Sequence, residues 1–212
     1  NKFKKNKYLG KLISLKLNEY KKVKSQIRND YLKSKINDEN MKFVYTFSNL
    51  LKISNKSFIK SMNTFEGLAH RYEIFLRKKN VTFINDSKAT SFESSKLALA
   101  NGKNIYWILG GLPKPKDKLN LKNLKKNIIK SYLIGKNINY FRKQLKGKVN
   151  FSITRNLSNS IIKILNDIKL SKRIDNIVLL SPAAASFDQF KNFENRGNQF
   201  KNLCNLYAKK YI

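Results

Sequence analysis

Asp86, Lys88 and Thr90 stand within five residues of one another in the stretch Val81-Thr82-Phe83-Ile84-Asn85-Asp86-Ser87-Lys88-Ala89-Thr90-Ser91-Phe92-Glu93. An apolar, β-branched run breaks there into a polar loop, and a helix start follows. Ligands of open α/β sheets bind where strands end and helices begin. A carboxylate in such a loop can accept from ribose hydroxyls, and a lysine can meet an anion. The competing reading is a plain strand-to-helix turn with Thr90 as N-cap. It accounts for Thr90 and Glu93 and leaves Asp86 and Lys88 without a task. A second loop of this kind is Val178-Leu179-Leu180-Ser181-Pro182-Ala183-Ala184-Ala185-Ser186-Phe187-Asp188-Gln189-Phe190. Its small residues let a ligand approach the backbone or, equally, let a helix pack closely on a sheet. Ser181 offers a hydroxyl, and the following helix start offers free N–H groups and a positive dipole end suited to a carboxylate. A third loop, Gly110-Gly111-Leu112-Pro113-Lys114-Pro115-Lys116-Asp117, places Lys114 after a strand. It lacks the Gly-Lys-Ser/Thr end of a phosphate-binding loop.

Other chemistry is thin. His70 and Arg71 fall at a domain boundary, where Arg71 can reach a nucleotide held by the preceding domain; a lone His is more often structural. Asn37-x-x-Asn40 opens a helix, and an ordinary Asn cap explains it as well. One His and one Cys offer little for a zinc site, and no Ser–His–Asp arrangement is present. Cys204 reads as packing, and its solitude excludes an internal disulfide framework.

These loops need elements to hold them. The patterning predicts a strand over Tyr8–Leu17 and helices over Glu19–Leu32, Asp38–Leu51 and Ser57–Met62. From Tyr72 the chain alternates. Strands are predicted at Tyr72–Leu76, Val81–Asn85, Ile105–Leu109, Ser131–Ile134, Val149–Ile153 and Ile177–Leu180. Helices are predicted at Glu93–Ala100, Leu119–Lys126, Ile138–Leu145, Ser158–Ile168 and Asp188–Ala208. Capping boxes at Thr90-x-x-Glu93 and Ser186-x-x-Gln189 mark two helix starts. Alternation at this spacing argues for βαβ units and a mostly parallel, Rossmann-like six-stranded sheet. A boundary is expected near residues 69 and 70, with a mostly helical first part too small to fold well alone.

The 212 residues carry 45 Lys and Arg against 13 Asp and Glu, a net charge of +32. Such an excess suits nucleic acid or an anionic membrane. Only seven residues are Arg, however, and the Lys are spread along the whole length. A solvated Lys-rich surface is therefore expected, with no nucleic-acid partner. No apolar run approaches the roughly 18 residues of a membrane span. A cytoplasmic monomer is expected. The chain begins with Asn1, which suggests a fragment.

Four segments in order resemble the Mur ligase family, in its D-glutamate-adding branch. They are Thr64–Glu73, Ile84–Thr90, Leu109-Gly110-Gly111, and the long and specific Leu180–Gly197. The chain departs from the family pattern at Ile36, Ala69, Ser91 and Leu112–Pro113. The resemblance implies a C-terminal amino-acid-binding domain (70–212) preceded by the end of a central ATP-binding domain (1–69). It implies a cytoplasmic ligase of cell-wall synthesis that uses ATP and Mg2+ to join D-glutamate to UDP-N-acetylmuramoyl-L-alanine through an acyl phosphate. Peptidoglycan synthesis of this kind serves cell shape and division. By resemblance, Asn37, Asn40, Arg71 and Asp86 meet ATP. Lys88, Thr90, Lys114, Ser181, Phe187 and Phe193 surround D-glutamate. The phosphate loop and the metal ligands are expected elsewhere, so this chain alone is expected to be inactive. The alternatives are a stand-alone amino-acid or nucleotide-binding module without catalysis and, behind it, a basic nucleic-acid-binding protein.

Overall fold

Six strands build one sheet: β1 (Glu73–Lys78), β2 (Val81–Asn85), β3 (Ile105–Gly110), β4 (Ile128–Ile134), β5 (Phe151–Arg155) and β6 (Asn176–Leu180). Their order is β1-β2-β6-β3-β4-β5. β1 runs antiparallel to β2, and every other pairing is parallel. The computed structural model describes residues 13, 17–33 and 37–212. The chain divides into two units, Asn1–Gly67 and Leu68–Ile212, and the sheet belongs to the second.

Parallel strands covered on both faces read as continuous apolar runs. β3 is such a run and is buried along its whole length. The period of two then sorts its side chains. Tyr106 and Ile108 join Phe83, Tyr132, Val178 and Leu180 on one face, beneath helices α7 (Leu157–Lys169) and α8 (Phe193–Tyr211). Trp107 and Leu109 join Ile84, Leu133 and Leu179 on the other, beneath α5 (Phe92–Ala100) and α6 (Ile138–Leu145). α7 presents Leu157, Ile161, Ile164, Leu165 and Ile168 inward at helical spacing. Each such burial contributes about 2 kcal/mol. Asn156 caps that helix by accepting from Asn159 N at 2.9 Å. Cys204 is fully buried among the α8 contacts to the sheet.

The first unit contains α1 (Leu17–Lys24), α2 (Asp30–Lys33), α3 (Asp38–Leu50) and α4 (Asn55–Thr64). They close on Tyr20, Val23, Ile27, Leu32, Met41, Tyr45 and Phe58. The strand expected over Tyr8–Leu17 lies outside the described residues except at Ile13, which is in no regular element, and at its end, where Leu17 opens α1.

Four expectations need correction, each because a side chain captures the backbone. The helix predicted over Glu19–Leu32 is interrupted: Asn29 donates to Met62 O and Phe65 O and accepts from Leu32 N, which restarts the chain as α2. The helix predicted over Leu119–Lys126 is irregular apart from a 3-10 turn at Lys125–Asn127. Gln144 accepts from Leu119 N and Asn120 from Lys122 N, while Leu119 and Leu121 are buried as separate anchors. α5 is capped by Ser91, which accepts from Ser94 N, and not by Thr90. α8 begins at Phe193 with Asn192 as its cap, well after the predicted Asp188. Ser186 instead accepts through its carbonyl from Gln189 N and Phe190 N in a separate turn.

Candidate functional site

The parallel register pairs Asn85 of β2 with Leu180 of β6. The next residue on each strand is a candidate, so Asp86 and Ser181 leave the sheet side by side. Ser181 Oγ donates to Asp86 Oδ2 at 2.7 Å, and Tyr72 N donates to Asp86 Oδ1 at 3.1 Å. Burial pushes the Asp86 pKa up to about 7; the bonds from Ser181 and Tyr72 and the charge of Arg71 oppose that rise. Ser181 is fully buried. Ser95 Oγ lies 2.9 Å from its hydroxyl, and Trp107 Nε1 donates to its carbonyl at 2.7 Å. Its hydroxyl is thus spent on Asp86, so any influence of Ser181 on a ligand passes through that carboxylate.

Arg71 is exposed between two residues in the left-handed region, His70 (φ 62°) and Tyr72 (φ 48°). Non-glycine residues adopt that region at a cost of about 1 kcal/mol or more. Here it is held from both sides. His70 N donates to Glu73 at 3.0 Å and His70 O accepts from Lys88 N at 3.0 Å. The His70 ring is buried, and its Nδ1 accepts from Asn85 Nδ2 at 2.9 Å, which places the neutral ring's proton on Nε2. Burial lowers the His70 pKa. Lys201 closes the cluster with an ion pair to Glu73 at 2.8 Å.

Lys88 is exposed, and its Nζ stands 5.4 Å from the centre of the Phe193 ring. His70 meets the same ring edge-on at 6.0 Å. Thr90 is half-buried just ahead of α5. Lys114 is exposed on the loop after β3. Gly110 and Gly111 shape that loop, both with φ 136°. A Cβ on Gly110 would lie 2.0 Å from Ile134 O, and one on Gly111 would lie 2.3 Å from Ala185 O. Leu112 and Ala185 exchange backbone hydrogen bonds, tying the Lys114 loop to the Ser181–Ser186 loop. Phe187 is 70% exposed. A cleft lined by Gly135, Lys136, Ile138, Asn139, Ile153, Arg155 and Gln189 opens at this same edge.

Asp86, Lys88, Arg71, Ser181 and Phe193 are thus brought together, with Lys114 on a loop bonded to theirs. Asn37 and Asn40 belong to the other unit. There Asn37 is buried and donates to Tyr31 O at 2.7 Å, and Asn40 is exposed on α3. Asn37 occupies the N-cap position without a side-chain capping bond. Among the described residues, no group of three or more His, Cys, Asp or Glu converges to hold a metal ion.

One participant escaped the sequence reading. Arg196 is fully buried, and its guanidinium spans the two principal loops. Its spacing was the available signal: Arg196, Phe200, Cys204 and Ala208 recur every fourth residue along the buried face of α8.

No family model matches the chain, but curated relatives do. The UDP-N-acetylmuramoylalanine–D-glutamate ligase of Nitrobacter hamburgensis is 43% identical over 144 residues, 68% of this chain and 31% of that protein. Proteins of the same name from the Wolbachia of Brugia malayi and from Wolbachia pipientis wMel are 39% and 35% identical, over 82% and 92% of this chain. They are covered to 34% and 37% of their own length, so the chain spans about a third of the curated relatives it matches. The crystal structure of MurF from Acinetobacter baumannii superimposes with a TM-score of 0.52 over 80% of this chain and 37% of that one, at 12% identity, a likeness of fold alone. Loops converging at the carboxyl edge of a mostly parallel sheet thus coincide with sequence identity of 35–43% to ligases of one kind, and the chain belongs to the Mur ligase family.

Proposed function

We propose that this chain is the amino-acid-positioning part of an ATP-dependent ligase that adds D-glutamate to UDP-N-acetylmuramoyl-L-alanine in peptidoglycan precursor synthesis. The observation that carries the reading is the convergence of Asp86, Arg71, Lys88 and Phe193 on one sheet edge, in a chain 43% identical to a relative of that name. On this reading the L-alanine carboxylate is activated as an acyl phosphate at the expense of ATP. The D-glutamate amine attacks it, and the tetrahedral adduct expels phosphate. The chain's share is positioning. Holding the amine beside the acyl carbon turns a bimolecular step into a nearly unimolecular one. Lys88 and Lys114 face the D-glutamate carboxylates, with Thr90, Phe187 and Phe193 around them and Ser181 acting through Asp86. Arg71 and Asp86 take the nucleotide from this side, and Asn37 and Asn40 take the adenine. The phosphate loop and the Mg2+ ligands are assigned to the portion of the longer relatives outside the matched third. The reading places the enzyme in the cytoplasm as a monomer; no helix among the described residues is long and apolar enough to cross a membrane.

One other reading keeps the fold and the sheet-edge loops as a binding module without catalysis. A chimera separates the two: this chain replaces the corresponding third of the Wolbachia ligase. Phosphate release that needs ATP and D-glutamate, and disappears when L-lysine replaces D-glutamate, supports the ligase. A folded chimera that binds D-glutamate yet releases no phosphate leaves the binding module.

A further inference from the structure

We propose that Arg196 is a positioning residue that clasps the 86–90 loop to the 181–186 loop, so that the anion-facing groups on both hold one geometry. The inference rests on the ligase reading for the identity of the ligand, and on the structure for the clasp. Arg196 lies in the first turns of α8 and is fully buried. Its Nε donates to Ser87 Oγ at 3.0 Å and one Nη to Ser87 O at 2.8 Å, while the other Nη donates to Ala184 O at 3.1 Å. Ser87 Oγ passes the tie on by donating to Phe193 O at 2.8 Å.

Each anchored residue sits between groups assigned to ligands. Ser87 separates Asp86 from Lys88. Ala184 adjoins Ala185, whose backbone pairs with Leu112 on the way to Lys114. Phe193 carries the ring that Lys88 covers. One guanidinium therefore sets the spacing of Asp86, Lys88, Phe193 and the Lys114 loop.

The choice of residue supports a role beyond packing. A buried charge is ordinarily matched by a carboxylate, because burying it alone is costly. Among the described residues Arg196 forms no ion pair; its three acceptors are neutral. Burial lowers its pKa to about 10, opposed by the charge of Asp188, which leaves it protonated at neutral pH. A neutral side chain would fill the space at less cost, and lysine would lack the fork that reaches two loops at once. A charge without an ion-paired carboxylate suits an edge that receives anions.

The test uses the full 212-residue chain as wild type, Arg196→Lys and Ser87→Ala. Amide hydrogen exchange is measured loop by loop, and D-glutamate is titrated by NMR. Arg196→Lys is expected to speed exchange in both loops by at least tenfold, to leave the amides of α7 and β3 at wild-type rates, and to weaken D-glutamate binding at least tenfold. Ser87→Ala is expected to loosen the same two loops less, and it decides the matter if Arg196→Lys does not fold. Wild-type exchange in either loop overturns the clasp, as does loosening that spreads evenly through the sheet. Loosened loops with unchanged D-glutamate affinity reduce Arg196 to a structural tie. A wild-type chain that binds no D-glutamate counts against the ligase reading instead, and the exchange rates then decide the clasp.

Discussion

Asp86 is held in opposed environments: its oxygens accept two hydrogen bonds, yet burial outweighs them and sets its pKa near 7. A carboxyl group that titrates higher in the fold than in the unfolded chain binds its proton more tightly when folded. Its contribution to stability is complete below about pH 4 and is lost as the pH climbs through about 7. His70 runs the other way, since its pKa is lowered. Its contribution is present above its ordinary value of about 6.5 and is lost as the pH falls. Asp86→Asn isolates the first effect. In urea unfolding, wild type is expected to lose about 2–3 kcal/mol relative to the variant between about pH 5 and about pH 8. Parallel pH profiles would mean that the carboxylate is ionised throughout. At this scale the sequence displays polar residues that interrupt apolar runs, which is why Asp86 and Lys88 stand out. It hides Arg196, because a charged residue in phase with Phe200 and Cys204 looks like the solvated edge of a helix until its acceptors are known. It also hides the inward turn of Ser181, which depends on the register between β2 and β6.

The elements were legible in proportion to how far their own side chains decide them. Buried strands announce themselves by apolar runs, and Val81–Asn85 falls where the pattern puts it. α6 does too, with Phe141 and Leu145 one turn apart on its buried face. Two helix starts were displaced to the local caps Ser91 and Asn192, and distant contacts hold the chain beside them. Asp117 accepts from Phe92 N at 2.8 Å, and Asp188 accepts from Lys136 N at 2.9 Å, contacts with partners 25 and 52 residues away. The β3–loop junction depends most on a single residue. Gly110→Ala would force a Cβ to 2.0 Å from a backbone oxygen at φ 136°. A backbone neighbour cannot swing aside, so the variant is expected to lose about 3 kcal/mol or more in urea unfolding. A loss under 1 kcal/mol would show that the loop relaxes and that the Lys114 position is not set by this turn.

At the scale of the whole chain, a net charge of +32 is set against an apolar face. α3 buries Met41, Tyr45 and Ser48 on one side, and on the other it exposes Phe43 (63%), Phe47 (54%) and Leu50 (51%), continued by Leu51 (60%) just past its end. The sequence shows the apolar spacing of this helix but not that it continues around the back. A helix with an apolar stripe on two sides suits a larger body that covers the second, in keeping with relatives about three times the matched length. In this chain alone the stripe can be covered by a second copy, which like-charge repulsion opposes at low salt. Sedimentation velocity is therefore expected to show a monomer at low salt and growing self-association as added salt screens the repulsion. Phe43→Glu with Phe47→Glu should abolish that association without disturbing the buried side of α3. Nucleic-acid binding by the same charge would run in the opposite direction, since it weakens steeply as salt rises. A chain that stays monomeric at every salt concentration would show that the stripe alone is too small to hold two copies together.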